Sequence, residues 1–285
     1  MGIFENCLLA CDVDGTLICE NTIPKDNIEA IEFFIKEGGH FALCTGRSVD
    51  ALKQVFSFLD KRLAGISIVL GGGMLYDFVS DSIVSQSILS DNDKYFSKYV
   101  KENLSNIGIE IHLDGVVNVL NRTDETDIHE EYEKLYCEFK SFEEINHLHW
   151  NKVLYALKNE AEREVLLNLA KERGSSTSLF IKTSAFIYGK QYFYVEQMPL
   201  GVSKGKAVKE LCEILGIKAG GLFGIGDYYN DIDMINKVDI GAATKEAPDD
   251  LKKIAKYVTC EAKNAAVADF IKYLTEVFGM EENNG

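Results

Sequence analysis

The sequence predicts an α/β protein, a doubly wound parallel sheet with an α+β unit inserted into it. Three observations predict this. Short apolar runs alternate with amphipathic helical stretches over 1–80 and again over 200–285, which is the rhythm of βαβ units. Between them the pattern changes to hairpin signals mixed with helices, and Pro199-Leu200-Gly201 punctuates the return to the first rhythm.

The elements follow in order. Cys7-Leu8-Leu9-Ala10-Cys11 is uniformly apolar, as a parallel strand buried on both faces must be. Pro24 and Asp26 open a helix with Ile28, Ile31, Phe34 and Ile35 at helical spacing, stopped by Gly38-Gly39. A strand over 41–44 and a helix over 49–59 follow, the helix with Leu52, Val55, Phe56 and Leu59 on one face. A strand over 66–70 then ends in Gly71-Gly72-Gly73.

The middle of the chain reads as a strand over 83–89, a helix over 92–106, and strands over 109–113 and 116–120 around Asp114-Gly115. An Asp-Gly pair between alternating runs is a strong hairpin signal. A further helix, a strand over 153–157, a helix over 160–173 and three short strands between 178 and 196 complete this part. Past Gly201 come a helix over 204–215, a strand over 222–225, a helix over 231–236 and a strand over 240–242. A helix over 248–255, a strand over 257–259, a final helix and a frayed tail over 281–285 end the chain. The simplest topology is a Rossmann-like core from 1–80 and 200–285, interrupted by an α+β domain over 81–199.

Composition narrows the function. At 285 residues and 46% hydrophobic content, with mean hydropathy near zero, the chain can bury a large core without being a membrane protein. No stretch approaches the ~20 apolar residues of a membrane span. The start, Met1-Gly2-Ile3-Phe4-Glu5-Asn6, is acidic and reads as no signal peptide. Asn6 stands where myristoylation wants Ser or Thr. A net charge of −15 disfavours nucleic acid as a partner. A small phosphorylated molecule remains a fitting partner if a metal and local cations reverse the field in a cleft. The seven cysteines are scattered without a C-x-x-C pair, the usage of reduced thiols in a cytoplasmic protein. Cys44 is read as buried filler rather than a nucleophile.

Four elements carry chemistry. The first is Asp12-Val13-Asp14-Gly15-Thr16 at the end of the first strand, where open α/β sheets bind ligands. Two neighbouring carboxylates repel unless a cation or a shared proton relieves them, so the pair suggests a metal or acid/base site. It is no EF-hand, because the sixth and twelfth positions counted from Asp12 are Leu17 and Ile23. The second element, Thr45-Gly46-Arg47, offers a hydroxyl and free amides at a strand end, with Gly46 permitting close approach. The third is Lys204, a cation at a helix start, where N–H groups also favour anions. The fourth is Gly226-Asp227-Tyr228-Tyr229-Asn230-Asp231 after a strand. In a parallel sheet these ends converge.

Together the four elements resemble the haloacid dehalogenase superfamily of aspartate-nucleophile phosphotransferases, and the insertion resembles its C2-capped, Cof-type sugar-phosphatase branch. The resemblance implies that Asp12 attacks phosphorus to form an aspartyl-phosphate and that Asp14 acts as general acid, then base. It implies Mg²⁺ held by the Asp12 carboxylate, the Asp14 backbone carbonyl and Asp227. Thr45 and Lys204 would bind phosphate, Asn230 would assist at phosphate or metal, and Asp231 would orient Lys204. Arg47 would touch phosphate or leaving group. The inserted domain would be a specificity cap, and the substrate a small phosphorylated metabolite such as a sugar phosphate.

Two departures from the family pattern concern substrate contacts: Gly71-Gly72-Gly73 replaces Asn-Gly-Ala, and Thr244-Lys245-Glu246-Ala247 replaces Gly-Asn-Ala. A phosphomutase using the same phosphoaspartate, or an idle binding protein on this scaffold, are the alternatives. His147 and His149 lack a third ligand at metal spacing and read as exposed residues. Glu130, Glu131 and Glu133 read as a solvated helix face, and Tyr228 and Tyr229 either line the cleft or pack beneath their loop.

Overall fold

The structure is a computed structural model that describes residues 2–20, 22–57, 59–174 and 176–282. Its strands are β1 (Leu8–Cys11), β2 (His40–Leu43), β3 (Ile66–Val69), β4 (Met74–Asp77), β5 (Ser82–Gln86), β6 (Gly108–Leu113) and β7 (Val116–Asn121). These are followed by β8 (Cys137–Glu138), β9 (Trp150–Leu157), β10 (Ser178–Ile187), β11 (Lys190–Pro199), β12 (Leu222–Gly226), β13 (Ile240–Ala243) and β14 (Tyr257–Val258). The chain divides into two compact units, one of Met1–Arg47, Val55–Ser85 and Ser203–Gly285, the other of Ser48–Gln54 and Gln86–Val202. These breaks differ from the expected 80/81 and 199/200, and they assign residues 48–54 to the second unit.

In the first unit β14-β13-β12-β1-β2 form a parallel sheet. Every residue of β1 is fully buried, which explains its unbroken apolar run. Leu8, Ala10 and Leu222 pack with Ala207, Val208, Leu211 and Met234 from helices Lys204–Leu215 and Ile232–Lys237. The alternate face meets helix Ala266–Glu282, where Phe223 lies edge-on to Phe278. Asn27 Oδ1 accepts from the Ala268 amide and ties that helix to Lys25–Lys36. Helices on both faces make the sheet doubly wound, as expected.

In the second unit the sheet order is β10-β11-β9-β6-β7-β8, antiparallel except for the β7/β8 pair. Helices Asp91–Asn103 and Glu160–Arg173 cover one face, burying Phe96, Val100 and Leu166 against Ile109, Ile111, Val153 and Tyr155. Asp114 and Gly115 turn the β6/β7 hairpin with φ of 43° and 93°, the left-handed pair this turn needs.

Three expectations are corrected. The helix over 49–59 is instead a short helix Val49–Lys53, capped by Ser48, then a 3-10 turn Gln54–Ser57. The chain changes unit here: Gln54 Nε2 bonds the carbonyls of Glu133 and Lys134, while Phe56 packs edge-on to Phe78. One straight helix could not serve both. The strand at 66–70 meets the end of β2 through the isolated parallel bridge Cys44–Ile68 and the Leu43 amide, which donates to Ser67 Oγ at 3.1 Å, and its ladder is an antiparallel one with β4. The three short strands between 178 and 196 are two ten-residue strands, β10 and β11, joined at Tyr188-Gly189 with φ of 50° and 80°. β10 is an edge strand whose face of Leu179, Ile181, Ala185 and Ile187 is interrupted by Thr183, while Phe180 and Phe186 stand on the other face, so the alternation that marks a half-buried strand is blurred. Of the tail over 281–285, residues 283–285 lie outside the described residues. Among the described residues no helix is long and apolar enough to cross a membrane.

Candidate active site

The strand order places β1 between β2 and β12, and connections leave this pair of neighbours in opposite directions. Such a switch point opens a crevice at the carboxyl ends of the strands. Asp12 sits there, its amide donating to the Ile225 carbonyl at 3.0 Å. The chain then turns through Gly15 at φ +83°, and the Gly15 amide closes the turn on the Ile18 carbonyl. A Cβ at Gly15 would lie 2.4 Å from Asp227 Oδ2. Glycine is therefore required by conformation and by space. Thr16 Oγ1 donates to Asp227 Oδ1 at 3.3 Å.

Lys204 enters from the start of helix Lys204–Leu215, whose first turn is capped by Ser203 Oγ. Its Nζ donates to Asp12 Oδ1 at 2.5 Å and to Asp231 Oδ1 at 2.7 Å. Asp231 Oδ2 accepts from the amides of Asp227 and Tyr228 at 3.0 and 3.1 Å. Asp231 thus fixes both the lysine and the loop that carries Asp227. Gly226 makes room for it, since a Cβ there would meet the Asp231 carboxyl at 2.4 Å.

Lys204 and Asp231 are almost wholly buried, and Asp12 nearly so. Oxygens of Asp12, Asp227 and Asp231 lie within 4.8 Å of one another. Burial pushes the Asp12 carboxyl well above the usual carboxylate range; Lys204 opposes the rise, and Asp231 and Asp227 add to it. Burial and the Asp231 charge push Asp227 up to about 6. For Lys204, burial alone would lower the ammonium's pKa, but Asp12 and Asp231 raise it overall. Three carboxylates face one ammonium, and the buried Asp12 Oδ2 has no hydrogen-bond partner among the described residues. An all-oxygen donor set with excess negative charge and an unpaired carboxylate oxygen fits a hard divalent cation.

The loop after β2 is held from the opposite side. Thr45, buried, accepts the Arg47 amide on Oγ1 at 3.1 Å, and its carbonyl accepts from Gly71 at 2.9 Å. Arg47 grips Asp14 with Nε and Nη2 at 2.8 and 2.6 Å, the bidentate geometry of a strong pair. Gly46 is exposed, and no atom lies within 4 Å of where its Cβ would stand.

The four motifs thus deliver two groupings. Asp12, Lys204, Asp227 and Asp231 form one cluster, and Asp14 with Arg47 forms a pair. The carboxylate trio is completed by Asp231, whereas the Asp14 carboxylate belongs to Arg47. Asn230, Tyr228 and Tyr229 are exposed in or beside the 3-10 turn Tyr229–Asp231. His147 and His149 are exposed, and of the acids expected on a solvated face only Glu131 is fully so, Glu130 and Glu133 being half-buried. Sequence reasoning missed the role of Gly72: with φ +103°, its Cβ would meet the Ser203 carbonyl at 2.3 Å. The glycine triplet lets this turn abut the start of the lysine helix, and its unbroken run was the available signal.

A buried, cation-fitting acidic cluster at the switch point of a doubly wound sheet defines an α/β enzyme of the aspartate-site kind. The chain belongs to the haloacid dehalogenase-like hydrolases, whose family model matches residues 9–271. The resemblance drawn from the four motifs therefore holds. It is 28% identical to the 5-amino-6-(5-phospho-D-ribitylamino)uracil phosphatase YwtE of Bacillus subtilis, over 93% of this chain and 97% of that protein. A haloacid dehalogenase-like hydrolase from Bacteroides thetaiotaomicron superposes with a TM-score of 0.82 at 20% identity, covering 94% of this chain and 99% of that one. The HAD subclass IIB sugar phosphatase BT4131 superposes with a TM-score of 0.74 at 22% identity, covering 94% and 98%.

Proposed function

We propose that this hydrolase is a Mg²⁺-dependent phosphatase that cleaves a small phosphorylated metabolite through an aspartyl-phosphate on Asp12. The observation that carries this reading is the Asp12 carboxylate: one oxygen is held by Lys204, and the other has no hydrogen-bond partner among the described residues. A carboxylate oxygen left free at the carboxyl end of β1, where open α/β sheets bind ligands, is the atom that attacks phosphorus in this reading. The relatives named above, one for a phosphoribityl compound and one for sugar phosphates, support a phosphorylated small molecule as substrate.

In this reading Asp12 and Asp227, with the Asp14 backbone carbonyl, hold Mg²⁺. The ion, when bound, neutralises charge on the phosphoryl oxygens. Lys204 donates to a phosphoryl oxygen, and Thr45, whose Oγ1 only accepts here, keeps its own proton for another. Asp12 forms an O–P bond as the P–O bond to the leaving group breaks, and Asp14 gives the leaving oxygen its proton. For that step Asp14 must leave Arg47, and a phosphate dianion competing for the guanidinium releases it. Water then attacks phosphorus, Asp14 takes its proton, and the Asp12 O–P bond breaks to give inorganic phosphate. The seven free cysteines support a reducing, cytoplasmic setting.

The test is metal dependence with p-nitrophenyl phosphate. EDTA is expected to abolish turnover and Mg²⁺ to restore it. Full turnover in metal-free buffer would contradict the scheme.

A further inference from the structure

Two of the chain's crossings between the units are the steps from Ser85 to Gln86 and from Val202 to Ser203. Inside the second unit both lead to one buried carboxylate. Asp93, in the first turn of helix Asp91–Asn103, is fully buried. Its neighbour Lys94 spends its ammonium on the carbonyls of Asn146 and Leu148 and on Asp91. Neutral donors hold Asp93 instead. Oδ2 accepts from the Ser90 amide at 3.0 Å, the Ser90 hydroxyl at 2.6 Å and the Thr177 hydroxyl at 3.1 Å. Oδ1 accepts from the Ser178 hydroxyl at 2.6 Å and from Gln197 Nε2 at 3.0 Å. The hydroxyls of Ser90 and Thr177 are themselves 3.0 Å apart.

Helix capping explains only part of this. Ser90 and Asp93 form a capping box, which asks of the carboxylate only the Ser90 amide. Thr177, Ser178 and Gln197 lie 84 to 104 residues further along the chain and cap nothing. Burying a carboxylate is costly unless hydrogen bonds satisfy it, and a fully satisfied buried network fixes one arrangement of the chains around it.

The donors sit at the roots of the two crossings. Ser90 ends the stretch that enters at Gln86. Along that stretch Asn151 Nδ2 donates to Gln86 Oε1 at 2.7 Å, and the Leu89 amide donates to the Trp150 carbonyl at 2.7 Å. Gln197 lies on β11, which leads out toward Val202. Ser178 stands opposite Pro199 in the β10/β11 ladder, and the Thr177 carbonyl accepts the Leu200 amide at 2.7 Å. One carboxylate thus joins the incoming stretch to the outgoing one.

We propose that Asp93 is a clamp that makes the incoming stretch 86–90 and the outgoing stretch 197–202 one cooperative piece, so that neither loosens without the other. Proteins open locally in cooperative units, and here the unit is contiguous in space although its two halves are far apart in the chain. The clamp acts whatever the chemistry of the carboxylate cluster on the first unit.

Native-state amide hydrogen exchange of the full chain, read residue by residue by NMR, tests this. The reporters are the amides of Leu89 and Leu200, neither of which bonds Asp93. Ile111 and Val153, on the central strands β6 and β9, serve as references. Ser90→Ala removes a donor on the incoming side and Thr177→Val one on the outgoing side, each leaving the carboxylate in place. Each is expected to speed exchange at both reporters by about 10-fold, the scale of one hydrogen bond to a charged group. Asp93→Asn is expected to speed both reporters further, with the references changing by less than about 3-fold in all three variants. The two hydroxyl variants decide the matter even if Asp93→Asn does not fold. Faster exchange at Leu89 but not Leu200 in Ser90→Ala, or at Leu200 but not Leu89 in Thr177→Val, would overturn the proposal. No effect at either reporter would do the same, as would equal acceleration at the references, which would mark a loss of stability throughout the unit.

Discussion

At the carboxyl ends of β1 and β12, Lys204 has a carboxylate on each side, and Asp231 spends every oxygen on the lysine or on loop amides. On the sheet face of the second unit opposite helices Asp91–Asn103 and Glu160–Arg173, His112 has no hydrogen-bond partner at either ring nitrogen among the described residues. Among the described residues only one buried atom of the first cluster, Asp12 Oδ2, lacks a hydrogen-bond partner, whereas on the second face Glu110 Oε1, both His112 nitrogens and the Tyr194 hydroxyl lack one. The difference teaches what each can do. A closed cluster fixes a reacting atom to within a fraction of an ångström, as chemistry requires. An open one leaves hydrogen-bonding capacity unused inside a buried face, at a cost in stability for each group left without a partner.

The comparison can be broken by removing one group from each region. The larger effect is expected in the first. Lys204→Met leaves the carboxylates of Asp12 and Asp231 buried without their cation, a change that costs about 3–5 kcal/mol. In EDTA its Tm should fall well below wild type, and added Mg²⁺ should raise it by more than it raises wild type. Equal Tm values for the two proteins in EDTA would show that the cluster is not held by its charges.

A smaller effect is expected at His129, whose Nδ1 lies 2.8 Å from Glu110 Oε2. Burial alone would lower its pKa, but the Glu110 carboxylate beside it raises it overall. A histidine whose pKa is higher folded than unfolded adds stability that is complete below the unfolded value near 6.5 and is lost as pH rises through the folded one. Wild type should therefore exceed His129→Gln by roughly 1.5 kcal/mol at pH 5.5, the scale of a hydrogen bond to a charged group. Urea unfolding should show the gap narrowing toward pH 9. A gap that widens with pH would contradict the pairing.

How far the sequence reveals each region follows from the same contrast. Asp12, Asp14, Lys204 and Asp227 are legible because each interrupts an apolar strand end or a helix start, where parallel sheets bind ligands. The grip of Asp231 on two amides and the abutment of Gly72 on Ser203 are not, since they depend on loop geometry that spacing does not encode. The polar face of the second unit is hidden for another reason. Glu110 and His112 alternate with Ile109 and Ile111, and polar residues at every second position ordinarily mean a face turned to water. Only their burial shows that this face is not turned to water. The long β10 escaped because Phe180 and Phe186 blur its apolar alternation, and the broken helix after Lys53 because its apolar spacing is helical even where the chain changes unit.

The central claim is that Asp12 carries the phosphoryl group and Asp14 moves the proton. Asp14→Asn should lower turnover by about 10²–10⁴-fold, yet p-nitrophenyl phosphate, whose leaving group needs little protonation, should still phosphorylate Asp12. Without its base, the second step stalls. Mass spectrometry of acid-quenched Asp14→Asn protein should then find one added phosphoryl group on the peptide containing Asp12, and none in Asp12→Asn, which should be inactive. A phosphoryl group on any other residue, or unimpaired turnover by Asp12→Asn, would contradict the account.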